Sequence, residues 1–174
     1  MLAFGHNSIG ALIGLSTFTL LPDSTPLTAR ISLAVCASFI SHYLTDRIPH
    51  GHYEFSPARL TKKMALLFLL DFGGSMIVLT LCAYMKFGIS AQLFVIMACM
   101  WAAQLPDIFE GFVSAGVIPF SRLVRIHRNF HFYTMHAKTP HNLLLPDGES
   151  RKWSESDVWQ IACFLGAIAA IWVG

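Results

Sequence analysis

The chain has 174 residues, of which 55% are hydrophobic and 13% are charged, and its formal net charge is +2. Because an ordinary soluble domain carries about 25% charged residues, this composition excludes that class and predicts one integral membrane domain over residues 1–174. The four cysteines lie singly in apolar segments and no nucleic-acid motif is present, so we expect no disulfide framework, no thiolate metal site and no nucleic-acid partner.

Five apolar segments follow one another along the chain, each close to the roughly 20 residues that cross a bilayer. They cover about residues 3–21, 27–45, 64–85, 88–105 and 156–174. Residues 106–153 are more polar and contain an amphipathic stretch, which predicts an interfacial region. The predicted fold is all-α, a polytopic membrane helix bundle of about five transmembrane helices plus an amphipathic interfacial segment. Four spans with an interfacial helix are the alternative.

The basic residues predict how such a bundle is oriented. With five spans, ten of the twelve Lys and Arg residues fall on the side of the N-terminus. The positive-inside rule then predicts a cytoplasmic N-terminus and a C-terminus on the opposite side. All eight histidines fall at or near the same side. We therefore expect one polar site at the cytoplasmic face of the membrane.

Two pairs of possible metal ligands have the i,i+4 spacing of a helix face. His42 and Asp46 end the second apolar segment, and His127 and His131 lie in the amphipathic stretch. Each pair can offer two ligands to one ion, or Asp46 can orient the imidazole of His42. A satisfied hydrogen bond at a helix end is the alternative for the first pair. A helix that faces anionic lipid is the alternative for the second.

Three further groups are candidates for the same site. Asp71 lies within an apolar segment, where a carboxylate is costly and usually functional, so we expect a metal ligand or a general base; a protonated Asp71 bonded to a neighbouring helix is the alternative. His6 could complete the ligand shell or be an interfacial histidine. Asp107 follows Pro106 and could be a ligand, a catalytic base or a negative charge at the start of a new helix.

Together these patterns predict a divalent metal, since imidazole and carboxylate ligands without cysteine suit zinc, manganese or iron. The candidate ligands are His6, His42, Asp46, Asp107, His127 and His131. The candidate catalytic groups are Asp71 and Asp107. Three arginines beside the second histidine pair could bind the phosphate of a substrate or grip lipid headgroups; they are Arg122, Arg125 and Arg128.

These motifs resemble those of the bacterial membrane-bound metal-dependent hydrolases, also called LexA-binding inner-membrane hydrolases. The positions that match in type are His6, Leu105-Pro106-Asp107, His127-Arg128 and His131, with His42 and Asp46 matching the family's HxxxD pair. In this chain that pair comes before the Leu-Pro-Asp motif rather than after it. The resemblance covers motifs scattered over about 130 residues. It implies metal binding, hydrolysis and a bacterial inner (cytoplasmic) membrane.

The patterns leave three functions open. The first is a membrane-embedded metal-dependent hydrolase that acts on an amphiphilic substrate, such as a phospholipid or prenyl phosphate, at the cytoplasmic face. The second is a non-enzymatic small subunit of a larger membrane complex or homo-oligomer, which binds lipid, quinone or haem; the glycines Gly10, Gly14, Gly73 and Gly74 would suit close helix packing. The third is an ion or proton pathway through Asp71. In each case the lipid bilayer is a partner.

Overall fold

A computed structural model describes residues 3–46, 66, 69–114, 116–119, 122, 125–126 and 155–174. The α-helices within this part of the chain are α1 (Ala3–Leu20), α2 (Leu27–Thr45), α3 (Ser75–Phe87), α4 (Ala91–Ser114) and α5 (Glu155–Val173). A π-helix, Leu69–Gly74, leads directly into α3. No strand occurs among the described residues, so the predicted all-α class is confirmed.

Three helices are long and apolar enough to cross a membrane. They span Leu27–Thr45, Leu69–Phe87 and Ala91–Val113, and the second of them joins the π-helix to α3. A shorter apolar helix covers Val158–Val173. The membrane character expected from the composition is therefore supported, whereas the number of five spans stays a prediction.

The helix α1 lies at the centre of the bundle, where it contacts all four other α-helices. Ten of its eighteen residues are buried. A Cβ atom at Gly10 would lie 2.7 Å from the carbonyl oxygen of Cys99, and one at Gly14 would lie 2.8 Å from the Cα of Ile96. Only glycine permits such close backbone contact, so Gly10 and Gly14 press α1 directly against α4.

The glycines of the π-helix differ from those of α1. A Cβ atom at Gly73 would contact only the side chain of Leu69, at 3.7 Å, and one at Gly74 would have no described atom within 4 Å. The close approach expected of glycines is thus seen at Gly10 and Gly14, but not at Gly73 or Gly74, within the described part of the chain.

The helix directions alternate along the chain. Asn7 near the start of α1 bonds Ser75 at the start of α3, and Lys86 near the end of α3 bonds the carbonyl of Trp172 near the end of α5. These three helices therefore run in parallel. The helices α2 and α4 run in the opposite direction. Thr45 in the last turn of α2 contacts His6 near the start of α1, and α4 approaches α1 with Gln104 at Ala3, Cys99 at Gly10 and Ile96 at Gly14. We call the end at which α1 begins the site end.

This arrangement places the start of α1 and the end of α5 at opposite ends of the bundle. A chain that crosses the membrane an odd number of times begins and ends on opposite sides, so this arrangement agrees with the prediction of five spans. Which end faces the cytoplasm stays a prediction from the Lys and Arg distribution.

The helix α4 corrects one prediction, because it continues through Pro106 to Ser114 instead of ending at Leu105. Proline removes one helical hydrogen bond and normally kinks or ends a helix, but packing in a membrane bundle tolerates it. Asp107 consequently lies inside a helix. The interpretation of Asp107 as a charge at the start of a new helix is therefore wrong.

Candidate metal centre

Two histidines and two aspartates from three helices meet at the site end. They are His6 of α1, His42 and Asp46 at the end of α2, and Asp107 of α4. The Nε2 atom of His6 lies 3.2 Å from Asp46 Oδ1 and 3.8 Å from Asp107 Oδ2. The Nε2 atom of His42 lies 2.9 Å from Asp46 Oδ2 and 3.6 Å from Asp107 Oδ1. Each imidazole therefore faces both carboxylates through the same ring nitrogen.

The two imidazole rings are stacked, so their planes are nearly parallel. The ring centroids of His6 and His42 are 4.0 Å apart, with 19° between the ring planes. Tyr43 contacts His42 edge-on at a centroid distance of 5.6 Å. The rings thus form one layer, with both Nε2 atoms at the edge that faces Asp46 and Asp107.

The other nitrogen of His42 identifies its tautomer. Nδ1 lies 2.7 Å from the carbonyl oxygen of Ala103. A carbonyl oxygen only accepts hydrogen bonds, so Nδ1 carries the proton. In the neutral ring, Nε2 then presents a lone pair to the carboxylates. A backbone carbonyl that accepts from the second ring N–H is one of the arrangements that orient metal-ligating histidines.

The contacts of His6 indicate the same tautomer, with the proton on Nδ1. Its Nδ1 lies 3.4 Å from Thr45 Oγ1, and this hydroxyl donates its one proton to the carbonyls of Ser41 and His42, at 2.9 and 3.0 Å. The oxygen of Thr45 can therefore only accept from His6 Nδ1. Its Nε2 is buried and has no hydrogen-bond partner among the described residues. In the neutral ring this atom also presents a lone pair to the carboxylates.

This geometry is suited to a cation. Lone pairs that face carboxylates repel them unless a positive charge lies between, and burial strengthens that repulsion. Ligand atoms about 2.0–2.2 Å from a zinc ion lie about 3.3–3.6 Å apart in a tetrahedron, close to the 2.9–3.8 Å nitrogen–oxygen distances found here. One ligand atom from each of His6, His42 and Asp107 lies within 4.8 Å of the others. The group could hold a metal ion.

The candidate site is closed on most sides and open near Asp107. The side chains of His6, His42 and Asp46 are at most 1% exposed, whereas that of Asp107 is 35% exposed. Gly111 is one turn beyond Asp107 on the same face of α4, and a Cβ there would meet no described atom within 4 Å. The described residues therefore leave room for water or a substrate group on the side of Asp107 and Gly111.

Asp71 has contacts at the start of α1. Its Oδ2 accepts a hydrogen bond from the Ala3 N–H at 2.9 Å and its Oδ1 accepts one from the Phe4 N–H at 2.8 Å. The carboxylate therefore caps α1, because it pairs two of the backbone N–H groups that have no partner within the first turn of a helix. Capping accounts for a carboxylate in this apolar segment, and the catalytic role of Asp71 stays a prediction.

Other predicted residues are distributed as follows. Arg122 and Arg125 are helical and exposed. His127, Arg128 and His131 lie outside the described residues, so the second histidine pair and its arginine stay predictions.

Two contacts of the site were missed at the sequence level. Ala103 acts through its backbone carbonyl, which leaves no trace in a side-chain pattern. Thr45 is one of several hydroxyl residues in α2, and nothing in its spacing distinguishes it. Asn7 and Gln104, in contrast, are buried amides in apolar segments next to His6 and near Asp107. Their polarity within an apolar span was a usable signal.

Comparison of the chain with known proteins finds no matching family model, no matching curated protein and no matching solved structure.

Proposed function

We propose that the chain is a membrane-embedded metal-dependent hydrolase, with a divalent ion held by His6, His42, Asp46 and Asp107. The observation that supports this proposal best is the common direction of the two histidines. Both present Nε2 to the same pair of carboxylates, while the Nδ1 of each faces an oxygen acceptor. A histidine–carboxylate pair that served only to join two helices would need neither the second ring nor the second carboxylate.

The ligand set indicates which ions fit. Two imidazole nitrogens with two carboxylates suit zinc, manganese or iron, and the described ligand group contains no thiolate. Bound there, a divalent ion would lower the pKa of a water molecule and so supply a nucleophile at neutral pH. Asp107 is the most exposed member of the group, so it is the carboxylate best placed to contact an incoming substrate.

We further propose that the substrate is amphiphilic, for example a phosphate-containing lipid. The candidate site lies at the end of apolar helices, close to where the polar part of a lipid would sit. Exposed apolar side chains flank it on both helices that supply carboxylates, with Leu44 59% and Phe109 40% exposed. Arg122, Arg125 and Arg128 would contact the phosphate. The cytoplasmic face rests on the Lys and Arg distribution, and the bacterial inner membrane rests on the motif resemblance.

The alternative is a non-enzymatic small subunit of a larger membrane complex that binds lipid, quinone or haem. Exposed large apolar side chains on α2 and α3 favour it, since partner helices could cover them as well as lipid can; they include Leu33, Ile40, Ile77 and Leu81. The alternative assigns no role to lone pairs that face carboxylates. We therefore prefer the hydrolase.

Elemental analysis of the protein purified in detergent tests the proposal. We expect about one zinc, manganese or iron ion per chain, and none above background after His42→Ala. His52→Ala is the matched control, because it removes a histidine outside the proposed ligand set and should leave the metal content unchanged. Phosphate release from phosphatidic acid or prenyl phosphate in mixed micelles should follow the metal content. Wild-type protein without a stoichiometric transition metal would leave the subunit as the better explanation.

A further inference from the structure

The start of α1 is fixed by side chains that belong to other helices. Asp71 accepts hydrogen bonds from the Ala3 and Phe4 N–H groups, and the Gln104 amide donates to the Ala3 carbonyl at 2.6 Å. The first turn of α1 is thus bonded to the π-helix on one side and to α4 on the other. His6 follows Ala3 by three residues and Phe4 by two.

The hydrogen bonds continue through the interior of the bundle as one connected network. Gln104 also donates to Asn7 Oδ1 at 3.1 Å, and Asn7 in turn donates to Ser75 Oγ at 2.7 Å. Ser75 donates to the carbonyl of Asp71. Asn7, Gln104 and Ser75 are at most 5% exposed. Buried amides are costly unless they are bonded, and these are bonded across α4, α1 and α3.

The network adjoins the candidate metal centre at two points. Asn7 follows His6, and Gln104 lies between Ala103, which anchors His42, and Asp107. We infer that Asp71, Asn7 and Gln104 are positioning residues of the metal centre, because they hold the first turns of α1 at the rotation and height where His6 Nε2 faces Asp46 and Asp107. This inference rests on the proposed function, since it concerns the same ion.

Close packing of α1 does not by itself position His6. The tight backbone contact with α4 is made by Gly10 and Gly14, and Gly10 is one helical turn, about 6 Å, beyond His6. A helix held only at those glycines can still tilt or fray at its start. The hydrogen-bond network holds the first turn of α1. Loss of the network should therefore leave the bundle folded but loosen His6.

The test uses the full chain in detergent with Co²⁺ and Zn²⁺ as probes. We expect Gln104→Met, Asn7→Leu and Asp71→Asn each to weaken metal binding by roughly 10–100-fold, as loss of outer-shell partners does at other metal sites. The visible spectrum of bound Co²⁺ should shift as well, because the coordination by His6 changes. Thr17→Val is the matched control: it removes a buried hydroxyl near the other end of α1 and should change neither readout.

A double-mutant cycle separates positioning from a general effect on the fold. If the network acts through His6, Gln104→Met should cause no further loss of affinity when His6→Ala is already present. Equal losses in both backgrounds, or a wild-type Co²⁺ spectrum in the folded Gln104→Met and Asn7→Leu variants, would overturn the inference and leave the proposed metal centre intact. Wild-type protein that binds neither ion would overturn both.

Discussion

The Nδ1 atom of His42 lies 2.7 Å from the carbonyl oxygen of Ala103, four residues before Asp107 on the same face of α4. The imidazole therefore contacts this face twice, because its Nε2 lies 3.6 Å from the Asp107 carboxylate. His6 is held less closely, with its Nδ1 3.4 Å from Thr45 Oγ1. His42 is thus the more rigidly oriented of the two candidate ligands.

We expect this difference to appear in metal affinity. His42→Ala should weaken zinc binding more than His6→Ala, because a pre-oriented ligand loses less entropy when it binds. Competition with a zinc chelator of known affinity measures the zinc Kd of both variants under the same conditions. Equal losses would show that the Ala103 contact does not contribute to ligation.

Asp46 distinguishes a metal centre from a set of ion pairs. With free zinc 100-fold above Kd, the wild-type protein should be about 2.7 kcal/mol more stable than the chelated protein, and Asp46→Asn should lose most of that difference. In chelator, Asp46→Asn should be no less stable than the wild type, since it removes one of two neighbouring carboxylates. Thermal unfolding in detergent, with and without chelator, measures the stability of both proteins in both conditions.

A set of ion pairs without a metal predicts a different result. If both histidines are protonated and paired with the carboxylates, Asp46→Asn should destabilise the protein by about 3–5 kcal/mol whether or not metal is present. Asp23→Asn serves as the control, because Asp23 is fully exposed in the turn between α1 and α2 and should have no effect in either condition.

Access to the site can be tested at Gly111. A Gly111→Trp side chain would fill the open space beside Asp107, so we expect normal metal content with at least about a tenfold loss in kcat/KM, since small errors in substrate position are costly. Gly166→Trp is the matched control: Gly166 is also an exposed helical glycine with no described atom near its Cβ position. Unchanged turnover in Gly111→Trp would exclude approach from this side.

The packing of α1 on α4 makes a separate prediction about stability. At Gly10 an added Cβ would lie 2.7 Å from a backbone oxygen, so Gly10→Ala forces the helices apart and should destabilise the fold by about 1–3 kcal/mol. Gly166→Ala meets no such contact and should be neutral or stabilising by up to about 1 kcal/mol. Unfolding midpoints of the two variants give the comparison. A neutral Gly10→Ala would mean that the two backbones are further apart.

The geometry also shows what could be predicted of the site from sequence. The i,i+4 spacing of His42 and Asp46 predicts a shared helix face, and both side chains do lie together. The segregation of histidines to one side leaves His6 as a candidate for the same site or as an interfacial histidine, and its ring stacks on that of His42. These patterns could be recognised because charged and polar residues are rare in apolar segments, so each such residue indicates a polar contact or a functional site.

Other features could not be read from local patterns. A proline such as Pro106 normally kinks or ends a helix, yet α4 continues through it, as packing in a membrane bundle allows. The Asp71 carboxylate of the π-helix likewise accepts hydrogen bonds from residues 67 and 68 positions away in the sequence. Such contacts are tertiary, so no window of sequence contains them.

The orientation of the bundle supplies the last prediction. The turn at Asp23 and the turn at Ser90 lie at the end opposite the site end, whereas Val117 follows α4 at the site end. In a variant without the native cysteines, single cysteines at Asp23 and Ser90 should react with an impermeant thiol reagent added to whole cells. A cysteine at Val117 should react only after the membrane is opened, because the Lys and Arg distribution places the site end in the cytoplasm. Labelling of Val117→Cys from outside would invert the bundle and put the candidate metal centre on the outer face. If Asp23→Cys and Ser90→Cys label from opposite sides, α2 and α4 do not both cross the membrane in the direction that the structure indicates.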